Sequence, residues 1–186
     1  MARLASMQAL GASLLMIAGA TACVAAGAAE PARRVLTPID WPAAGQARAS
    51  AAQADAVLRP LRATAPAGLA QVRIPVLLLP AEGDWGAPRF HGQGTAYAAL
   101  YAPAGAKLGL FGSATHLVAP SDLKLEHAGG AFESIGDGAD YSFTRFGAAY
   151  TLRMSCDEPL KDKRCTDPQY LADTARALLL VAGEKP

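Results

Sequence analysis

Residues 140–156 read DYSFTRFGAAYTLRMSC, and this stretch is the clearest guide to the fold. Along it, Tyr141 and Phe143 fall on one side of an extended chain, while Ser142 and Thr144 fall on the other. Beyond Gly147, the apolar residues that again share one side are Tyr150, Leu152 and Met154. Alternation with a period of two is typical of strands that bury one face. The stretch therefore predicts two β-strands with a bulge or bend at Gly147.

The sequence after the second cysteine of this region predicts a helix. Asp167 is a favoured N-cap residue, Pro168 is favoured in the first turn, and Gly183 follows the last apolar residues. The apolar stripe at three- and four-residue spacing consists of Tyr170 or Leu171, Thr174, Leu178 and Val181. This pattern predicts an amphipathic helix, running nearly to Gly183, that packs on the sheet.

Upstream of residue 140, short strands are predicted at residues 72–79, 95–102, 107–111 and 115–118. The second and third of these form a hairpin, whereas residues 119–138 predict irregular structure and Ser50 predicts the start of a helix up to about Pro60. Strands that follow one another without alternating helices favour an antiparallel sheet. We therefore expect a single α+β domain over residues 49–183, with the C-terminal helix packed on one face of the sheet. Its expected core contains Val76, Leu78, Leu108, Leu110, Tyr150, Leu152, Leu171, Leu178 and Val181.

The N-terminal residues have the order of a bacterial export signal. Arg3 is the only charge, an apolar segment follows it, and small residues precede Cys23. That order predicts a signal peptide over residues 1–22, with cleavage before Cys23 or as late as residue 28. Cys23 is also a candidate for lipidation, although Ala20 stands where lipoprotein signals usually carry a larger aliphatic residue. Residues 23–48 are rich in alanine and proline, and we expect them to form a flexible tether.

Cysteine usage and charge agree with export. Cys156 and Cys165 remain as a pair after Cys23 is assigned to the signal or anchor, and an oxidising periplasm should join them in a disulfide. The chain has 17 Lys+Arg and 16 Asp+Glu, so loss of Arg3 leaves 16 of each. A neutral surface argues against nucleic acid as a partner, and against a membrane except through a lipid at Cys23. We expect the protein in the periplasm or at the outer membrane.

The sequence motifs that would carry catalysis are weak. Residues 121–124 match Ser-x-x-Lys, but the companion motifs of the penicillin-recognising enzymes are missing from the sequence. The histidines are not spaced as ligands on one element, so we predict neither a metal site nor a cofactor. If the chain is an enzyme, Ser113, His116 and Asp84 are its candidate catalytic residues.

Binding candidates are aromatic and basic. The aromatic loop from Trp85 to His91, which leads into Tyr97 and Tyr101, forms either a stacking platform for sugar or peptide or a cover over one end of the core. Arg145 lies in an otherwise apolar strand, where it reaches solvent, pairs with a carboxylate or binds an anionic ligand.

Taken as expectations, these features favour a bacterial envelope protein that acts as a non-catalytic binding or accessory domain. Its partner would be an envelope protein, a peptide or a glycan. The alternative is a small periplasmic hydrolase that acts on cell-wall or ester substrates.

Overall fold

A computed structural model of the chain describes residues 33–51, 66–80, 83–118, 125–127 and 129–182. Its elements, in chain order, are β1 (Arg33–Leu36), α1 (Trp41–Ala51), α2 (Pro66–Leu69), β2 (Val76–Leu78), β3 (Arg89–Gln93), β4 (Ala96–Tyr101), β5 (Ala106–Ser113), β6 (Thr115–Val118), β7 (Leu125–His127), β8 (Gly130–Ile135), β9 (Gly138–Arg145), β10 (Ala148–Cys156), α3 (Lys163–Thr166), α4 (Pro168–Ala177) and β11 (Leu179–Ala182). The expected signal peptide, Cys23, the tether as far as residue 32 and most of the helix expected after Ser50 lie outside the described residues.

The stretch quoted above forms an antiparallel hairpin of β9 and β10. Its two turn residues, Phe146 and Gly147, have φ angles of 53° and 76°. Positive φ at both central residues is typical of a type I′ turn, whose twist matches that of the flanking strands. The expected strands are confirmed, but Gly147 is a turn residue and not a bulge. A Cβ atom at this position would also collide with the carbonyl oxygen of Pro38.

Among the described residues, seven strands form one antiparallel sheet in the order β3-β4-β5-β10-β9-β8-β7. The expected hairpin over residues 95–111 is confirmed as β4 and β5, and the strand expected at residues 115–118 is β6. The expectation of irregular structure over residues 119–138 is wrong for β7 and β8. These strands are short, but they gain ladder hydrogen bonds by adding to the edge of β9.

A second layer covers one face of this sheet, which we call the inner face. It consists of β2 paired with β11, and of α4, which packs against β9. The predicted core is confirmed, since the nine expected residues are all buried. The element assigned to Val181 is wrong, because α4 ends at Ala177 and the apolar residues after it form β11. Pairing with the backbone of β2 gives this segment hydrogen bonds that the stripe pattern could not reveal. The structure is therefore an antiparallel sheet with a few helices, as expected of an α+β domain.

The N-terminal boundary of the domain differs from the expectation. From residue 33 onward the expected tether is wrong, because β1 pairs with β6 and α1 spans Trp41–Ala51. The carboxylate of Asp40 accepts a hydrogen bond from the N–H of Ala43 at 2.9 Å, and Ala44 is buried in the core. Local composition indicates mobility here, but strand pairing with a distant segment and helix capping order the chain. The ordered domain therefore includes residues 33–48.

The disulfide between Cys156 and Cys165 is confirmed. It joins the end of β10 to α3, just before Asp167 caps α4 by accepting a hydrogen bond from the N–H of Gln169. None of the described helices is long and apolar enough to cross a membrane.

Candidate functional site

Tyr97, predicted as a ligand-stacking residue, is committed to the core. β4 places its ring on the inner face, where its hydroxyl donates to the carbonyl of Leu77 at 2.9 Å and accepts from the N–H of the same residue at 3.0 Å. Burial and the neighbouring Tyr150 raise the pKa of Tyr97 well above its ordinary value of 10. This buried neutral phenol uses its hydroxyl both as donor and as acceptor within the protein. It therefore holds the second layer on the sheet and has no free polar group for a ligand.

Two further tyrosines repeat this arrangement along the same segment. Tyr101 accepts a hydrogen bond from the N–H of Leu79, and Tyr150 donates to the carbonyl of Pro75. The backbone groups that the hydroxyls bind belong to every second residue of the segment, residues 75, 77 and 79. On the side of this segment that faces the sheet, the tyrosine hydroxyls therefore bind backbone groups that a neighbouring strand would otherwise bind. Burial raises the pKa of Tyr101 to about 12.

Arg145 also has a structural role. Its guanidinium donates to the carbonyls of Ala175 and Leu178, each at 3.2 Å, and lies 5.9 Å from the ring centroid of Phe143. Carbonyls at a helix C-terminus carry partial negative charge and lack partners within the helix. Arg145 is therefore the C-terminal cap of α4, and its planar fork is used on backbone instead of on an anionic ligand.

Trp85 lies apart from the other two predicted binding residues. It is half-buried, and its ring centroid is 6.3 Å from that of Tyr170 on α4. This contact corresponds to the alternative in which the loop covers one end of the core. Trp85, Tyr97 and Arg145 therefore do not come together as one binding site.

The candidate catalytic residues are also placed by the structure, as far as it describes them. The hydroxyl of Ser113 accepts a hydrogen bond from the N–H of Thr115 at 3.0 Å, and Asp84 is exposed in the loop beside Trp85. The backbone of His116 pairs with Val35, but its side chain lies outside the described residues. Within the described ranges, there is no group of three or more His, Cys, Asp and Glu residues that could hold a metal ion.

An open cleft of about 580 Å³ lies beside β3, at one edge of the sheet. The residues that line it are Gly68, Phe90, His91, Gly92, Gln93, Ala96 and Tyr97. The ring of Phe90 stacks on that of Tyr97 with centroids 5.4 Å apart and is half-buried, so that one aromatic surface faces the cleft. His91 and Gln93 also line the cleft, but they alternate with Phe90 along β3, so their exposed side chains lie on the opposite face of the sheet.

The local sequence explains why this edge is held in place. Gly94 exchanges two backbone hydrogen bonds with the segment before β2, donating to Gln71 at 2.9 Å and accepting from Arg73 at 2.7 Å. Gly92 allows close approach, because a Cβ atom there would collide with the side chain of Val72. The edge of the sheet and α2 therefore form the two sides of a cleft whose base is fixed by backbone contacts.

Phe90 and His91 belong to the aromatic loop that the sequence predicted as a stacking platform or a cover over the core, whereas Gln93 was not a predicted site residue. The residues before Phe90 have many turn formers, which made the segment resemble a loop. The signal that could have found them is the alternation of residues 89–93, directly before the Gly94–Thr95 turn.

Since β3 is an edge strand, the cleft offers a flat apolar surface with strand backbone at its rim. Stacking on the aromatic face and hydrogen bonding to the rim suit a ligand that has an apolar face and hydroxyl or amide groups. Comparisons of the chain with protein-family models, with curated proteins and with solved structures found no match.

Proposed function

We propose that this chain is an exported bacterial envelope protein that acts as a non-catalytic binding domain, and that the cleft beside β3 receives its ligand. The ligand is a peptide or a glycan of the envelope. The observation that carries the proposal is the Phe90 ring, which is half-buried on Tyr97 and lines the cleft at the edge strand β3.

The disulfide supports the proposed compartment. Cys156 and Cys165 are joined, and disulfides persist in oxidising compartments such as the periplasm. The export signal over residues 1–22 agrees with this location, either as a free periplasmic protein or with a lipid at Cys23. Mass spectrometry of the protein from its host tests this part: we expect a first residue at Cys23 or shortly after it. An intact Met1 in the envelope fraction would contradict export with cleavage.

The fate of the other polar groups supports a binding role over a catalytic one. Tyr97 and Arg145 use their polar atoms on backbone groups, and the Ser113 hydroxyl accepts a hydrogen bond from Thr115. These contacts stabilise the fold. At the cleft, the backbone of the edge strand β3 is suited to hydrogen bonding with a ligand.

Ligand titration followed by NMR tests the proposed site. Soluble peptidoglycan fragments and short envelope-derived peptides are titrated into isotopically labelled protein, and we expect amide shifts concentrated at residues 89–97. Phe90→Ala should weaken binding about tenfold or more, because stacked aromatic contacts dominate such sites. Trp85→Ala is the matched control, since this aromatic side chain packs on Tyr170 away from the cleft residues.

Two outcomes would contradict the proposal. Shifts centred on another surface, with affinity unchanged in Phe90→Ala, would show that the cleft is not the ligand site. Turnover of a general ester substrate that is abolished by Ser113→Ala would replace the binding domain with the hydrolase alternative.

A further inference from the structure

The face of the seven-stranded sheet that is turned away from the core, which we call the outer face, carries an ordered pattern of charge. Strand register places its side chains in rows that cross the sheet. From β8 to β3, one row consists of Glu133, Asp140, Arg153, Gly109, Leu100 and Arg89. The neighbouring row consists of Ala131, Ser142, Thr151, Phe111, Ala98 and His91.

The first row is acidic at one end and basic at the other. Glu133 is exposed on β8, next to Asp140, and Arg89 is exposed on β3 at the opposite end. Between them, the guanidinium of Arg153 binds the carboxylate of Asp140 at 2.6 Å. Five strand spacings separate β8 from β3, so the two end charges lie about 24 Å apart.

The middle strands of the outer face carry one projecting ring, beside the ion pair of Arg153 with Asp140. Phe111 on β5 is 40% exposed, and its ring covers Gly109, where a Cβ atom would lie 2.6 Å from the ring. Leu100 borders the same glycine from β4. An exposed aromatic ring surrounded by small residues at the centre of a patch is the arrangement found at the energetic centre of protein interfaces.

We propose that the outer face binds a second copy of this chain, with the two-fold axis parallel to the strands and between β5 and β10. This rotation places each strand of one copy opposite a strand of the partner subunit that lies, within its own sheet, equally far from the axis on the other side. Arg89 then faces Glu133 of the partner subunit, and the reverse pair forms at the other end. The two Phe111 rings lie beside the axis, near the centre of the interface.

The charge order and the size of the face favour this occupant. A surface with acid at one end and base at the other is complementary to itself under this rotation. The six strands from β3 to β8 and about 20 Å of strand length give a footprint of roughly 500–700 Å² per copy. The two copies together bury roughly 1,000–1,400 Å², which reaches the size of a specific interface.

Sedimentation equilibrium of the purified protein, from cells that express the full chain, tests the proposal. We expect a reversible dimer for the natural sequence. Phe111→Asp should raise the dimer Kd about 30-fold or more, because it places two carboxylates at the centre of the interface. Leu160→Asp is the matched control, since Leu160 is 90% exposed in the loop after β10 and should leave the Kd unchanged.

A charge exchange tests the orientation of the two copies. Arg89→Glu and Glu133→Arg should each raise the Kd about tenfold, because like charges then face each other twice per dimer. The double variant should restore the Kd, since both pairs become attractive again. These two side chains are exposed, so the exchange reports on association even where Phe111→Asp does not fold.

A monomer at every concentration would overturn the proposal. A dimer whose Kd is unchanged by Phe111→Asp and by both charge reversals would also overturn it, because the interface would then lie elsewhere. Failure of the double variant to recover the Kd of the natural sequence would refute the proposed two-fold axis.

Discussion

Replacing Tyr97 by phenylalanine removes one oxygen atom from the core and leaves both backbone groups of Leu77 without their partner. The hydroxyl donates to the Leu77 carbonyl at 2.9 Å and accepts from its N–H at 3.0 Å, and Tyr97 and Leu77 are 5% and 0% exposed. Each buried backbone group that loses its hydrogen bond costs about 1–3 kcal/mol. The free energy of unfolding should therefore fall by about 2–6 kcal/mol.

This loss is large compared with the total stability of a domain, which is about 5–15 kcal/mol. Tyr101→Phe frees the N–H of Leu79, so its expected cost is about half as large. The predicted order of stability is therefore the natural sequence, then Tyr101→Phe, then Tyr97→Phe.

Urea unfolding followed by far-UV circular dichroism measures these differences. Tyr170→Phe is the control, because it makes the same chemical change at a half-buried ring whose hydroxyl has no hydrogen bond within the described part of the chain. It should shift the free energy of unfolding by less than about 1 kcal/mol. If Tyr97→Phe unfolds at the same urea concentration as Tyr170→Phe, the argument that this hydroxyl replaces a neighbouring strand is refuted.

Three further predictions concern the cap, the pH dependence and the disulfide. Arg145→Ala should lower the free energy of unfolding by about 2–4 kcal/mol, because the carbonyls of Ala175 and Leu178 lose their guanidinium donor and Ala175 keeps only the N–H of Leu178. Arg145→Lys should recover part of this loss, because one ammonium cannot reproduce the planar fork. Equal stability of the alanine variant and the natural protein in urea would contradict the capping role. The pKa of Tyr101 is about 12 in the folded state and about 10 in the unfolded state. The resulting contribution to the free energy of unfolding, about 2–3 kcal/mol, is complete below pH 10 and is lost as the pH rises through 12. Absorbance at 295 nm should show a tyrosine titrating near pH 12 in the folded protein, and titration of every tyrosine near pH 10 before unfolding would exclude this. Cys156→Ser should lower the free energy of unfolding by about 2–3 kcal/mol, because the disulfide no longer closes its loop. Urea unfolding measures this loss, with the natural protein reduced by dithiothreitol as the comparison.

The parts of the fold that could be predicted are those that local patterns specify. The period-two alternation gave β9 and β10, and the capping residues Asp167 and Pro168 gave the start of α4. Burial of the core residues could also be predicted, because a patterned run of apolar side chains favours burial in a helix and in a strand alike. Val181 illustrates this, since its spacing fits a helical stripe and it is buried in a strand instead.

The parts that could not be predicted depend on contacts between distant residues. The last described strand, β11, forms because β2, about 100 residues earlier, pairs with it. Likewise, Tyr97 and Arg145 each have the chemistry of a ligand-binding residue, and only the fold shows that backbone groups 20 and more than 30 residues away occupy their polar atoms. The cleft at β3 was missed for the same reason, because α2 and residues 71–73 approach it from an earlier part of the chain.

The tyrosine contacts along residues 75–79 also determine the order in which the chain can fold. One of the hydroxyls comes from Tyr150, 75 residues after its acceptor at Pro75, and the strand that pairs with β2 is later still. During synthesis, Tyr97 and Tyr101 follow within 22 residues, but the segment 74–79 lacks its contacts with Tyr150 and β11 until almost the whole domain is available. A chain truncated before β11 would expose this segment permanently, so the domain is expected to fold after synthesis as a single unit.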